Sequence, residues 1–198
     1  MILTHAGRAP RIDPDAWIAP NAVVCGDVTI GPGVRIAWGA QVIAEGGAIR
    51  IGSGTVVLEN AVLRSTPLHD LAIGEHCVVG PNTHVVGCTI EGDVFIATGA
   101  SVFHAAQVGA GAEVRINAVV HLCTRLPAGA TVPIGWVAVG DPCEILPPGE
   151  HERIWAIQKS LDFPQTVYGI ARAEVDMPKI AQRLGGWLAT HRDDEQTS

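Results

Sequence analysis

IEGDVF-IATGAS-VFHAAQ-VGAGAE-VRINAV-VHLCTR-LPAGAT-V, residues 90–132, sets an aliphatic side chain at every sixth position: Ile90, Ile96, Val102, Val108, Val114, Val120, Leu126 and Val132. Four places after most of them stands a small residue: Ala100, Ala106, Ala112, Ala118, Thr124 and Ala130. A period of six is neither the 3.6 of a helix nor the alternation of a half-buried strand. It is the spacing of a β-helix, in which six residues make one short strand and one corner, and three such units close a coil.

The same period runs outward toward the amino terminus through Ile12, Ile18, Val24, Ile30, Ile36 and Val42, then Ile51, Val57 and Leu63, then Ile73, Val79 and Val85. The step is nine residues between Val42 and Ile51, ten between Leu63 and Ile73, and five between Val85 and Ile90. Extra residues in a solenoid become surface loops, here predicted over 44–48 and 65–72, and loops on a rigid scaffold are where function concentrates.

Composition agrees with a narrow prism. Hydrophobic residues make up 47% of the 198 but aromatics only 5%, so Val, Ile and Ala must fill the interior. Gly 23 and Pro 13 supply corners. A formal charge of −7 argues against a nucleic-acid or anionic-membrane partner. No apolar run approaches the roughly 20 residues needed to span a bilayer. Met1-Ile2-Leu3-Thr4-His5 lacks the basic and apolar regions of a secretory signal, so the chain is read as cytoplasmic. Cys25, Cys77, Cys88, Cys123 and Cys143 are odd in number without C-x-x-C spacing, which suits small core or corner residues.

After Pro147-Pro148-Gly149 the period changes, dividing the chain into a β-helix domain, 1–146, and a helical extension, 147–198. Ile154, Ile157 and Leu161 predict one amphipathic helix over 150–162. Asp176 and Pro178 read as the cap and first turn of a second, reaching about His191 and interrupted at Gly185-Gly186. Residues 192–198 read as a frayed tail.

Residues 18–31, with Ile18-Ala19-Pro20-Asn21-Ala22-Val23-Val24-Cys25-Gly26-Asp27, closely resemble the opening of γ-class carbonic anhydrases. Ile49-Arg50-Ile51-Gly52, Glu59-Asn60-Ala61-Val62, Val85-Val86-Gly87-Cys88-Thr89-Ile90 and Gly140-Asp141-Pro142-Cys143 extend the resemblance over roughly 10–146, and the loop lengths agree. It implies an all-β fold, a left-handed parallel β-helix with C-terminal α-helices, that assembles as a homotrimer. It also implies a zinc ion held between subunits by three histidines. The places of those ligands are taken here by Arg64, Pro81 and Val86. The family's Arg-Gly-Asp reads Ala44-Glu45-Gly46, and its glutamine near the zinc reads Leu58. A guanidinium, a proline and a valine ligate nothing, so no zinc is expected there and no cofactor is assigned.

The coil register stacks Arg64, Val86, Phe103 and His121 in one column, and Ser65, Gly87, His104 and Leu122 in the next. The resemblance sets Glu59, Pro81, Thr98 and Arg115, with Asn82 adjacent, across the subunit boundary. The candidate catalytic residues are therefore His104, His121 and Arg64, and the candidate binding residues Arg64, Glu59, Asn82, Glu45 and Phe103. Arg64 can hold a carboxylate or phosphate, or can pair with a neighbour's Glu59 as a cross-link replacing zinc. His104 and His121 are surface corner residues or a general base near neutral pH. A replacement metal on both would need Glu59 or Cys123 as third ligand.

The expected function is a γ-carbonic-anhydrase-like homotrimer lacking the zinc histidines, which binds or acts on a small anionic metabolite at the inter-subunit cleft without metal. Two alternatives stand beside it. One is a hexapeptide-repeat acyltransferase using acyl-CoA, with His69 on the ten-residue loop as base; the other is a non-catalytic trimeric scaffold.

Overall fold

The computed structural model describes residues 1–196; Thr197 and Ser198, the end of the expected tail, lie outside the described residues. Strands from successive coils pair in parallel and build three walls, of ten, seven and seven strands. The first wall carries, in coil order, Ile2–Thr4, Val23–Cys25, Gln41–Ala44, Val62–Ser65, His84–Val86, Ser101–Val102, Val119–Val120 and Val137–Val139. The second runs from Arg11–Ile12 to Arg125–Leu126 and the third from Trp17–Ile18 to Thr131–Val132.

Six-residue spacing is what drives this stacking. On the first wall Val24, Val42, Leu63, Val85, Val102, Val120 and Ala138 point inward and are fully buried. The small residues at the preceding corner, Ala22, Ala40, Ala61, Thr83, Ala100 and Ala118, are buried too. A larger side chain there would fill the corner that the backbone must turn through. Each branched residue withdrawn from water contributes roughly 1.5–3 kcal/mol, and one continuous cluster runs from Ala19 to Ala138. Register is in phase from coil to coil, Leu63 opposite Val42 on one side and Val85 on the other.

The corner between the third and first walls needs left-handed backbone, supplied by Asn60 (φ 57°), Asn82 (φ 55°) and Asn117 (φ 55°) and by Gly39 and Gly99. A Cβ at Gly39 would stand 2.2 Å from Asn60 Oδ1, so asparagine on one coil fills the space that glycine leaves on the next.

Three helices follow the strands: α1 (His151–Gln158), α2 (Phe163–Tyr168) and α3 (Met177–Ala189). Helix α1 continues as a 3-10 turn over Lys159–Leu161 and sets Ile154 against Val139 and Leu146, closing the last coil. Helix α2 was not expected from the sequence; it is too short to show a periodic stripe. Asp176 caps α3, accepting from the Lys179 amide at 2.8 Å, as expected. The expected interruption at Gly185-Gly186 is absent, and α3 runs through both glycines. Its flanking residues Leu184 and Trp187 face a cavity against the β-helix, and that anchorage offsets about 1 kcal/mol lost per glycine.

The tail expected to fray is ordered as far as it is described. Thr190–Asp193 form a 3-10 turn, and Glu195–Gln196 pair antiparallel with Ile2–Thr4, adding an outer strand to the first wall. The edge that Ile2–Thr4 gives the first wall takes this pairing, which composition did not reveal. No helix among the described residues is long and apolar enough to cross a membrane.

Candidate functional site

The first wall's outer face and the two inserted loops meet under α2 and α3. Glu45, Arg64, Thr66, His84, Val86 and His104 from the β-helix and Val167, Tyr168, Leu184 and Trp187 from the helices enclose a cavity of about 150 Å³. A larger concavity, about 480 Å³, lies on the third wall among Leu58, Pro81, Phe95, Ile116 and Ile134. Its charged groups, Glu113 and Arg115, already pair with each other at 3.0 Å. Titratable groups converge in the smaller cavity, so that one is taken as the site.

Arg64 is engaged within its own chain. Its Nε donates to Glu45 Oε2 at 2.5 Å and its Nη2 donates to the same oxygen. Glu45 is 2% exposed, carried inward by the turn at Gly46, whose φ of +89° and approach to Pro67 admit no side chain. Burial lowers the pKa of Arg64, but a guanidinium stays cationic. Glu45 Oε1 is buried without a hydrogen bond.

Opposite lie three imidazoles. His104 is 8% exposed, its Nδ1 has no hydrogen-bond partner, and its pKa is pushed down to about 4. Burial is the main cause, followed by repulsion from His69, His84 and Arg64. Burial, then Arg64, lowers His84 as well. His69 stands edge-on to His104 at 5.7 Å between ring centres, and its Nε2 donates to the Thr166 carbonyl at 2.8 Å. That bond ties the ten-residue loop to α2. The base expected of an acyltransferase is thus engaged in holding the helix down.

The column Arg64, Val86, Phe103, His121 is present: Arg64 pairs in register with Val86, and the rings of Phe103 and His121 lie 6.4 Å apart. The structure brings Arg64, Glu45 and His104 into the cavity and leaves Phe103 and His121 farther along the column. His121 Nδ1 is buried without a partner, and burial lowers its pKa. Glu59 and Asn82 sit at the corner between the third and first walls, Glu59 exposed and Asn82 holding the left-handed turn.

At the positions that the resemblance gives to zinc ligands, Arg64, Val86 and Pro81 offer no donor atom, so the ion does not fit there. Nor do His104 and His121 converge with Glu59 or Cys123 among the described residues. A different group does. His5 Nδ1 and His191 Nδ1 lie 2.6 and 2.7 Å from the two carboxylate oxygens of Asp194, and the Cys25 thiol donates to Oδ2 at 3.4 Å. The two imidazoles stack at 4.0 Å. Burial acts to raise the pKa of Asp194, but hydrogen bonds from His191, His5 and Cys25 outweigh it and the net shift is downward. Cys25 is pushed up to about 12 by burial, with Asp194 adding to it. Sequence reading took Cys25 for a corner residue and missed the other three. They come from opposite ends of the chain, and only the return of the C-terminal strand joins them.

Residues 9–44 match the family described as bacterial transferase hexapeptide (six repeats). The chain is 33% identical over 128 residues to gamma carbonic anhydrase 1, mitochondrial, of Arabidopsis thaliana, an alignment covering 62% of this chain and 46% of that protein. It thus spans about half the length of such curated relatives. It is 24% identical over 140 residues to the carnitine operon protein CaiE of Salmonella agona, covering 71% of this chain and 68% of that one. The crystal structure of a hexapeptide transferase family protein from Anaplasma phagocytophilum superposes with a TM-score of 0.53 at 25% identity, over 93% of this chain and 97% of that chain.

Proposed function

The chain is a hexapeptide-repeat protein similar to the γ carbonic anhydrases, and from that premise we propose that it binds a small carboxylate-bearing metabolite beside Arg64, with no metal at that corner. The observation that carries this reading is the buried, unpartnered Nδ1 of His104, a residue that lines the same cavity as Arg64. An orphaned buried nitrogen costs about 1–3 kcal/mol unless a ligand or water satisfies it. A cavity of about 150 Å³ admits a molecule of a few heavy atoms. Arg64 supplies charge-assisted donors, and a neutral His104 can accept a hydrogen bond from the bound molecule. The cleft of this reading is roofed by the chain's own helices rather than by a neighbouring subunit.

Acetate, bicarbonate and inorganic phosphate at millimolar concentration are the probes. Acetate or bicarbonate is expected to raise the melting temperature of the wild type and to leave His104→Leu unmoved. If neither carboxylate-sized anion stabilises the wild type, or the shift persists in the variant, the reading fails. The transferase hexapeptide match favours a second reading. Stabilisation by acetyl-CoA without any by the small anions would put acyl transfer in its place, and silence from all probes would leave the scaffold.

The trimer belongs to this proposal. Trp38 (51% exposed), Phe95 (44%), Ile116 (44%) and Ile134 (63%) expose apolar surface along the third wall, the last three around its concavity. Closed threefold symmetry would cover it in every copy at once. Light scattering at micromolar concentration is expected to give three times 20.7 kDa; a monomer would remove this assembly from the proposal. The cytoplasmic placement rests on all five cysteines being free thiols, as in a reducing compartment.

A further inference from the structure

We propose that His5, Cys25, His191 and Asp194 form a binding site for one divalent transition-metal ion, zinc by the nature of its ligands. Two imidazoles, a thiol and a carboxylate each present one ligand atom, and the four lie within 4.8 Å of one another. Zinc bonds of about 2.0–2.3 Å in a tetrahedron separate neighbouring ligand atoms by roughly 3.3–3.8 Å. The separations present, 2.6 and 2.7 Å from Asp194 to the histidines, 3.4 Å to Cys25 and 4.0 Å between Cys25 Sγ and His191 Nδ1, bracket that range. Bringing all four to it takes rotation of the Asp194 and Cys25 side chains and a turn of the two imidazole rings out of their stack. Nitrogen and sulfur donors select zinc or cobalt over magnesium or calcium.

A second observation is independent of the cluster. A metal-bound imidazole donates its other ring N–H to an outer partner, most often a carboxylate or carbonyl. His191 Nε2 lies 3.9 Å from Glu45 Oε1, beyond hydrogen-bond distance, and that oxygen is buried with no hydrogen bond of its own. His5 Nε2 lies 3.5 Å from Thr190 Oγ1. Both histidines thus have an outer neighbour on the side away from the cluster, and the unexplained Glu45 oxygen acquires a role. On binding, the ion takes the place of the protons held between Asp194 and its three neighbours, each imidazole ligating through Nδ1 with its proton moved by way of solvent to Nε2. The thiol proton leaves to solvent and Cys25 ligates as thiolate.

The ion would join the first two strands of the first wall to the turn after α3, and so hold α3 over the Arg64 cavity. It uses none of the residues at which zinc was considered and set aside. Cobalt(II) alone, added to chain stripped of metal with a chelator, tests the site directly. About one ion per chain is expected, with a near-ultraviolet thiolate-to-cobalt band and visible bands of tetrahedral intensity. Cys25→Ser should abolish the near-ultraviolet band, and His191→Ala should lower affinity at least tenfold. Zinc should raise the melting temperature of the wild type and not that of His191→Ala. No uptake of zinc or cobalt by the wild type at micromolar concentration overturns the proposal, as does uptake that both variants leave unchanged. Should His191→Ala fail to fold, X-ray absorption of the zinc-loaded wild type decides: one sulfur in the coordination sphere supports the site, and none overturns it.

Discussion

Arg64→Ala is expected to cost about 3 kcal/mol of folding stability, toward the lower end of the 3–5 kcal/mol found when one member of a buried ion pair is removed. Nearly all of Glu45 is out of water, while a third of the Arg64 side chain is solvated, so the loss falls on the stranded carboxylate. The penalty comes from isolating a charge and not from the worth of the pair. Glu45→Leu combined with Arg64→Met should therefore be much less harmful than Arg64→Ala alone. Denaturant midpoints of the two chains, at equal slope, measure the difference. If Arg64→Ala falls within about 0.5 kcal/mol of the wild type, as ordinary surface substitutions do, Glu45 is not isolated by the change and its pairing here is wrong.

Acid should destabilise the fold well above the range in which carboxylates titrate. His104 has its pKa depressed from 6.5 to about 4, so the folded chain binds its proton less readily than the unfolded chain. Stability from this group is complete above pH 6.5, declines as pH falls, and is lost once pH passes below about 4. At 1.36 kcal/mol per unit the whole effect is at most about 3 kcal/mol. His84 and His121 are shifted in the same direction and add to the slope. The test is the unfolding free energy of wild type and His104→Leu at several pH values from 7 down to 4. The variant should show a shallower decline whatever its absolute stability, and parallel curves would mean that His104 is protonated at little cost in the fold.

The β-helix was legible because each coil repeats a local rule. Val102 is buried for the same reason as Val85 and Val120, and six residues suffice to state that reason. The stacking of Phe103 near His121 followed from counting alone. What counting could not supply was the path of the chain after Leu146. The α3 stripe of Leu184 and Trp187 announced a helix in need of a surface, but nothing in it named the Arg64 corner as that surface. Counting leaves Arg64 either to hold an anion or to pair with a neighbour's Glu59. Within the chain it pairs with Glu45, because the nine-residue step folds Glu45 inward where a six-residue step would have continued the wall. His5, Cys25, His191 and Asp194 were illegible for a related reason. Only the His191–Asp194 spacing is local, and a pair three apart near a chain end carries little information.

The parallel ladder of the first wall stops at both ends in a strand running the other way, Glu195–Gln196 beyond Ile2–Thr4 and Glu144–Leu146 beyond Val137–Val139. A solenoid whose last coil resembled its first could add another molecule end on end and grow into a fibre of unlimited length. Reversing the direction of the outermost strand breaks that translational repeat, because a further coil would meet a ladder of the wrong polarity. On this wall the carboxyl-terminal segment therefore interrupts the repeat that a second chain would have to continue, while the other two walls keep parallel strands at their edges.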